Sequence, residues 1–230
     1  MGEARSIPQP VGEGIWRVVN RRFQSNSYIC ATGEPGRCFL VDPGTDPEGI
    51  DAALGELGLE PRLIFCTHGH FDHAGSAAFF QRKYGAPCHL HPADQKTLKG
   101  SNFLLMAFKI PYTMALPETR EAEAFIEALG LPEVRIFPAP GHTPGSCILQ
   151  VGRALFTGDT LYSYGVGLSM LPGEDTELLK ATLRGLWDRL PETGTIYPGH
   201  GDASPFAGLR ERNLPLRAFL GLDAPTRGNA

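Results

Sequence analysis

Short apolar runs separated by Gly and Pro mark the first third of the chain. Residues 14–20, 27–32 and 37–41 mix β-branched, aromatic and aliphatic side chains between turn formers, which predicts three strands. The period then changes. Ile50, Ala53, Leu54 and Leu57 recur at helical spacing within 47–58, and Gly58 stands where a helix C-cap belongs. A buried strand over 62–67, a helix over 74–84 ending at Gly85, and a short strand over 87–90 follow. The segment 102–116, NFLLMAFKIPYTMAL, is unusually apolar for a connection. A helix is expected over 118–129, Glu-rich early and stopped at Gly130. Strand patterns return at 134–137, 146–151 and 154–156. A helix over 175–190 then carries Leu178, Leu179, Leu183, Leu186 and Leu190 on one stripe, and a strand at 195–197 closes the series. Strands, helix, strand, helix, then the same again, predict two similar halves packed as a sandwich of the mixed α/β (α+β) class.

Composition narrows the picture. With 230 residues, 42% of them hydrophobic, the chain suits one domain over 1–230, in which the apolar stretch near 100–120 is an insert or lid. The net charge of −4 comes from 21 Lys and Arg against 25 Asp and Glu. There is no basic run, so no nucleic-acid partner is expected. No apolar stretch is long enough to span a bilayer. The polar start, MGEARSIPQPVGEGIW, lacks the basic and apolar parts of a signal peptide. A cytoplasmic protein with no membrane partner is the expectation. Cys30, Cys38, Cys66, Cys88 and Cys147 form no C-x-x-C pair and read as buried reduced thiols.

The chemistry lies in four short motifs, each after a predicted strand. They are Thr67-His68-Gly69-His70-Phe71-Asp72-His73, Gly141-His142-Thr143-Pro144-Gly145, Thr157-Gly158-Asp159-Thr160, and Pro198-Gly199-His200-Gly201-Asp202. Five of the seven histidines fall in three of them. In an extended segment alternate residues point the same way, so His68 and His70 can converge on one ion. Asp72 and His73, past a turn, can face a second. Gly69 lets the backbone bend without a Cβ clash. His142 can complete the first site and His200 the second, and Asp159 has two oxygens with which to bridge them. An open position for water then remains at each ion, the mark of a catalytic rather than a structural site. Without a cation, so many clustered ionisable groups would repel or stay unsatisfied. Imidazole and carboxylate together suit zinc first, with iron or manganese as alternatives.

Other polar residues read less sharply. Asp42 ends a strand and either orients a ligand loop from behind or caps a turn. His89 and His91 read as structural. Tyr162 and Tyr164 follow Asp159 and could touch substrate. Phe103 and Met106, within the apolar 102–116 stretch, could line a substrate pocket; packing or a dimer contact are the alternatives.

In these motifs the chain resembles the metallo-β-lactamase superfamily, and most closely its glyoxalase II-like (hydroxyacylglutathione hydrolase-like) branch. The resemblance implies a four-layered αββα sandwich with the site along its edge. It implies the same ligand set, with Asp72 and Asp159 serving the reaction as well as the metals. Class B β-lactamases usually carry Cys where Asp159 falls, which argues against antibiotic hydrolysis. The implied activity is hydrolysis of an ester, thioester or lactone of a small molecule at two divalent ions. The stretch 167–170 lacks the Arg and Asp of the branch's Gly-Arg-x-Asp motif, and no Tyr closely follows His200, so glutathione thioesters are not favoured. A mononuclear iron persulfide dioxygenase, using His68, His142 and Asp159, is the alternative. An RNase Z-like nuclease and a non-catalytic binding module are weaker rivals. A homodimer is a further expectation.

Overall fold

The computed structural model describes residues 7–222, so the first six residues of the polar start lie outside the description. Two sheets pack face to face. The first contains β1 (Gln9–Gly12), β2 (Ile15–Val19), β3 (Asn26–Ala31), β4 (Arg37–Val41), β5 (Glu60–Phe65), β6 (Cys88–His89) and β7 (Thr119–Arg120), side by side in chain order. Strands β1 to β4 are antiparallel neighbours, and β4 to β7 run parallel. Parallel pairing needs crossovers. They are α1 (Pro47–Leu57), then α2 (Phe71–Ala74) with α3 (Ala77–Tyr84), then α4 (Gln95–Ala107). After α5 (Ala124–Leu129) comes the second sheet. There β8 (Val134–Pro138), β9 (Cys147–Val151) and β10 (Ala154–Gly158) are antiparallel. Beyond α6 (Thr176–Leu186), β11 (Thr195–Pro198) adds parallel to β10, and β12 (Ser204–Pro205) closes the edge antiparallel to β11. Helices α7 (Phe206–Arg212) and α8 (Leu214–Leu220) follow.

Period-2 alternation sorts the strand residues into three apolar layers. Ile29, Cys38, Leu40 and Ile64 face α1, α3 and α4, meeting Ile50, Leu54, Phe80 and Leu98. Their chain neighbours Tyr28, Phe39, Val41 and Phe65 point the other way and meet Leu149, Phe156 and Tyr197 of the second sheet. Ile148, Leu155 and Ile196 then face outward, under Leu179, Leu183 and Leu186 of α6 and under Phe206 and Leu216. The result is the expected αββα arrangement. Caps fix the helix ends as the sequence indicates. The Asp46 side chain accepts from Gly49 N, Pro47 opens α1, and Gly58 ends it in the left-handed conformation.

Four expectations need correcting. The helix at 74–84 is two helices. The first begins inside the HGHFDH motif, and Gly75 and Ser76 separate it from α3. The apolar 102–116 stretch is in its first part the end of a helix that starts at Gln95; Gly100 and Ser101 weaken the helical pattern there. The expected helix over 118–129 begins only at Ala124. The Gln81 side chain brackets both backbone groups of Glu118, and Thr119–Arg120 pairs with β6, so local helix preference yields to sheet pairing. Leu178 is not on the buried stripe of α6; it is 41% exposed, while Leu179, Leu183, Leu186 and Leu190 are buried. All five cysteines are buried and free. Among the described residues no helix is long and apolar enough to cross a membrane.

Phe156 is the hinge of the inner layer. It is 1% exposed and touches the rings of Tyr28, Phe39 and Tyr197. Replacing Phe156 by Ala is expected to cost about 3–5 kcal/mol in urea unfolding. A loss below about 1 kcal/mol would mean that the two sheets do not depend on this contact.

Candidate metal centre

The chain leaves the sandwich at one edge through the C-terminal ends of β4, β5, β8, β10 and β11. Asp42 follows β4, and His68, His70, Asp72 and His73 follow β5. His142 follows β8, Asp159 follows β10, and His200 follows β11. Because these strands share a direction across both sheets, their loops meet.

The structure brings all seven sequence-singled residues together. His68, His70 and His142 present nitrogen atoms within 4.8 Å of one another, as do Asp72, His73 and His200 with their own donor atoms. His70 Nδ1 stands 3.1 Å from His142 Nε2. On the other side His200 Nε2 is 3.3 Å and His73 Nε2 3.5 Å from Asp72 Oδ2. Asp159 lies between the two groups. Its Oδ1 is 3.3 Å from His73 Nε2, and its Oδ2 is 3.6 Å from both His142 Nε2 and His200 Nε2.

Hydrogen bonds behind the cluster fix which nitrogen faces in. Asp42 Oδ1 accepts from Thr67 N at 2.7 Å; its Oδ2 accepts from Thr67 Oγ1 at 2.7 Å and from His73 Nδ1 at 3.1 Å. The Thr67 hydroxyl, having donated its proton, can accept from His68 Nδ1 at 3.1 Å. Both histidines thus present Nε2 to the cluster. Asp42 also falls within reach of a grouping with His68 and His73. Its oxygens are already engaged in these bonds, so it orients ligands from behind, one of its two expected roles.

A second carboxylate does comparable work and was passed over in the sequence. Asp94 is fully buried. It accepts from Gly69 N at 2.6 Å and Thr143 Oγ1 at 2.8 Å through Oδ2, and from Gly145 N at 2.7 Å and Thr97 Oγ1 at 3.3 Å through Oδ1. It thereby ties the loop of His68 and His70 to the loop of His142. Gly69 has a reason other than bending: a Cβ there would lie 2.9 Å from Asp94 O and from Leu98 N, so α4 could not approach. The loop of His200 is held from the first sheet. Asn26 Nδ2 and the Tyr28 hydroxyl donate to Pro198 O, and Arg17 donates to Gly201 O.

Electrostatics divide the cluster. Burial, then the neighbouring histidines, lowers His68 well below the usual imidazole range, and burial, then His142, takes His70 to about 4. Burial also lowers His142. For His73 burial pulls down, but Asp159 and Asp72 outweigh it and the net shift is up. His200 is likewise raised against burial, through its bond to Asp72 and the charge of Asp159. Both carboxylates are held low; burial opposes this, and His73 leads the opposite effect in each. The arrangement fits divalent cations. His68 Nε2, His73 Nε2 and Asp159 Oδ1 are buried with no hydrogen-bond partner, which is costly unless something else satisfies them. Five imidazoles and two carboxylates are the donor set of zinc, iron or manganese.

The substrate-side expectations divide. The Tyr162 ring stacks over His200 with centroids 6.5 Å apart, and its hydroxyl has Asp159 as a hydrogen-bonding neighbour. Tyr164 is 71% exposed. Phe103 and Met106 are on the exposed side of α4; it is Leu98 and Ser101 of that helix that meet Gly69. His89, bonded to Ile64 O, and His91, which caps a turn, serve structure.

The model of the family described as the metallo-beta-lactamase superfamily matches residues 20–200. The chain is similar to a hydroxyacylglutathione hydrolase of Anaeromyxobacter dehalogenans, 34% identical over 185 residues. That alignment covers 80% of this chain and 65% of the relative, just under two thirds of its length. A probable metallo-hydrolase of Bacillus subtilis is 29% identical over 86% of this chain and 94% of its own. Among solved structures, the crystal structure of TTHA1623 in a di-iron-bound form is 33% identical, with a TM-score of 0.76 over 86% of this chain and 98% of the other.

Two outcomes follow from this geometry. Asp94→Asn leaves buried N–H and O–H donors facing an amide. It is expected to cost about 2–4 kcal/mol of stability and to lower zinc affinity in chelator competition by about 10-fold or more. Unchanged affinity would show that the two loops keep their spacing without it. The upward shifts of His73 and His200 favour protons that a cation must displace. Zinc titration calorimetry in buffers of different ionisation enthalpy should therefore show release of about one to two protons per chain at pH 7. Apparent affinity should fall as pH drops, starting above the ordinary histidine range. Zero proton release would contradict the protonation pattern.

Proposed function

We propose that the chain, which belongs to the metallo-β-lactamase superfamily, is a metallo-hydrolase that cleaves an ester, thioester or lactone of a small molecule at a two-metal site. One observation carries this reading. The donor set for a second cation, Asp72, His73 and His200, is complete and assembled beside the first, with Asp159 between them. A mononuclear iron dioxygenase needs only His68, His142 and Asp159 and gives the second set no work.

His68, His70 and His142 would hold one ion, Asp72, His73 and His200 the other, and Asp159 both. Zinc is the first expectation, with iron or manganese as alternatives; the relative TTHA1623 was crystallised with two irons. Bound cations supply an acidified water at neutral pH and a Lewis acid for the carbonyl oxygen. The protein's own groups do the rest. Asp72 is the residue placed to accept a proton, since its side chain stands beside His73 and His200 and is still 15% exposed. Burial, then the charge of Asp159, raises the Tyr162 hydroxyl well above its usual range, so it stays a proton donor. It is placed to donate to the oxygen that gains charge. Thr67 and Asp42 hold His68 and His73 in the tautomer with Nε2 inward throughout.

The substrate's carrier group is proposed to be other than glutathione, because 167–170, Gly-Leu-Ser-Met, offers no cation. The first test is elemental analysis of protein purified without added metal, followed by a thioester and lactone panel. Two ions per chain and metal-dependent hydrolysis are expected. A single iron per chain with oxygen uptake on glutathione persulfide would replace this reading by the dioxygenase. Within an active enzyme, Tyr162→Phe should lower kcat about 10–100-fold with metal content unchanged; an unchanged kcat would remove the tyrosine from the reaction.

A further inference from the structure

The mechanism above leaves Glu174 without a part, although its side chain is only 4% exposed and stands against the cluster. Its Oε2 accepts from Ser169 N at 2.7 Å, from the Ser169 hydroxyl at 2.5 Å and from Met170 N at 3.2 Å. The same oxygen lies 3.8 Å from His142 Nδ1. That nitrogen is buried and has no hydrogen-bond partner, while the opposite one, Nε2, faces His70 and Asp159.

The backbone keeps Glu174 in this place. Asp175 N donates to Gly141 O at 2.7 Å, and Gly173 approaches the Pro144 ring. Gly141 has a φ of +137°, and a Cβ on it would lie 2.3 Å from Leu179 Cα, so the start of α6 rests directly on the residue before His142. From there the chain between Tyr162 and Glu174 spans the cluster as a strap. At its far end Tyr162 stacks on His200. The fully buried Asn213 anchors that end: its side chain accepts from Gly165 N and donates to Tyr162 O and Gly165 O. At the near end Met170 holds a φ of +56°, rare for an L side chain; Glu174 accepts from its amide and from that of Ser169, and Leu171 N donates to the Ser169 hydroxyl. Leu168 and Met170 face solvent, 45% and 88% exposed.

We propose that Glu174 is a positioning residue that joins this strap to the metal centre: one carboxylate oxygen both latches residues 169–170 and takes the outer N–H of His142. The inference rests on the metal reading above. A cation on the Nε2 side polarises an imidazole and makes its other N–H a stronger donor. Metal loading should therefore draw Glu174 onto His142 and tighten the strap. By reciprocity, a tightened strap should hold the metal more firmly. The strap would then bound the substrate opening only in the loaded protein.

The test compares wild type, Glu174→Gln and Ser169→Ala by zinc affinity in chelator competition and by amide hydrogen exchange of 163–172, with and without zinc. In wild type, zinc should slow exchange across the strap. Glu174→Gln should bind zinc about 10–100-fold more weakly and lose the zinc-dependent protection. Ser169→Ala, which keeps the His142 contact and removes part of the latch, should loosen the strap and weaken zinc by a smaller factor. Wild-type affinity in Glu174→Gln, or strap exchange in wild type that ignores zinc, overturns the proposal while leaving the metal reading intact. Failure of wild type to take up any divalent metal overturns both.

Discussion

Asp42 accepts three hydrogen bonds at the end of β4, from the backbone and hydroxyl of Thr67 and from His73 Nδ1. The constraint behind this is simple. A neutral imidazole offers a lone pair on one nitrogen only when its proton is held on the other. Buried at the meeting point of two sheets, His68 and His73 have no water to take that proton. Asp42 accepts the hydrogen bond of His73 Nδ1 directly, and that of His68 is accepted by the threonine it orients. Asp42 itself adopts a φ of +50°, uncommon for a residue with a side chain. The strand end accepts that conformation in exchange for three well-formed bonds. His68 and His73 turn Nε2 inward because these protons point outward.

The two halves of the cluster are built from different physics. His68, His70 and His142 are kept neutral by burial and by each other. Around Asp72 and Asp159, burial alone would raise the carboxylates, yet His73 and His200 hold them low and are themselves shifted up. Protonation of these histidines is thus favoured where the second cation would sit. This explains how two carboxylates can stand together behind so little solvent.

Much of this was readable along the chain, and the limits have physical causes. HGHFDH, GHTPG, GDT and PGHGD announced the cluster because ligands that share a loop are close in sequence. Residues that work from behind are not. Asp94 gives no signal along the chain, since its four donors come from 69, 97, 143 and 145. Asn213 and Glu174 are invisible for the same reason. Strand layers were legible from alternation, as in Leu40 and Val41, which face opposite layers. The 118–129 stretch was not, because a two-residue edge strand has too little pattern to outweigh helix-forming glutamates. Phe103 and Met106 drew attention by being apolar, but their helix meets the ligand loop through small and buried residues instead.

Consider finally where the donors originate. Four come from loops of the first sheet and three from loops of the second. Between the sheets at this edge, the polypeptide supplies a few direct ties, such as Cys147 N to Thr67 O and Asn26 N to Gly199 O. Asp159, reaching from one sheet toward ligands of both, turns the site into a rivet through the sandwich. Sliding one sheet over the other by a single residue would shear that rivet before it opened any apolar layer. The register of the two sheets is therefore set at the loop edge of the molecule as well as in its apolar middle.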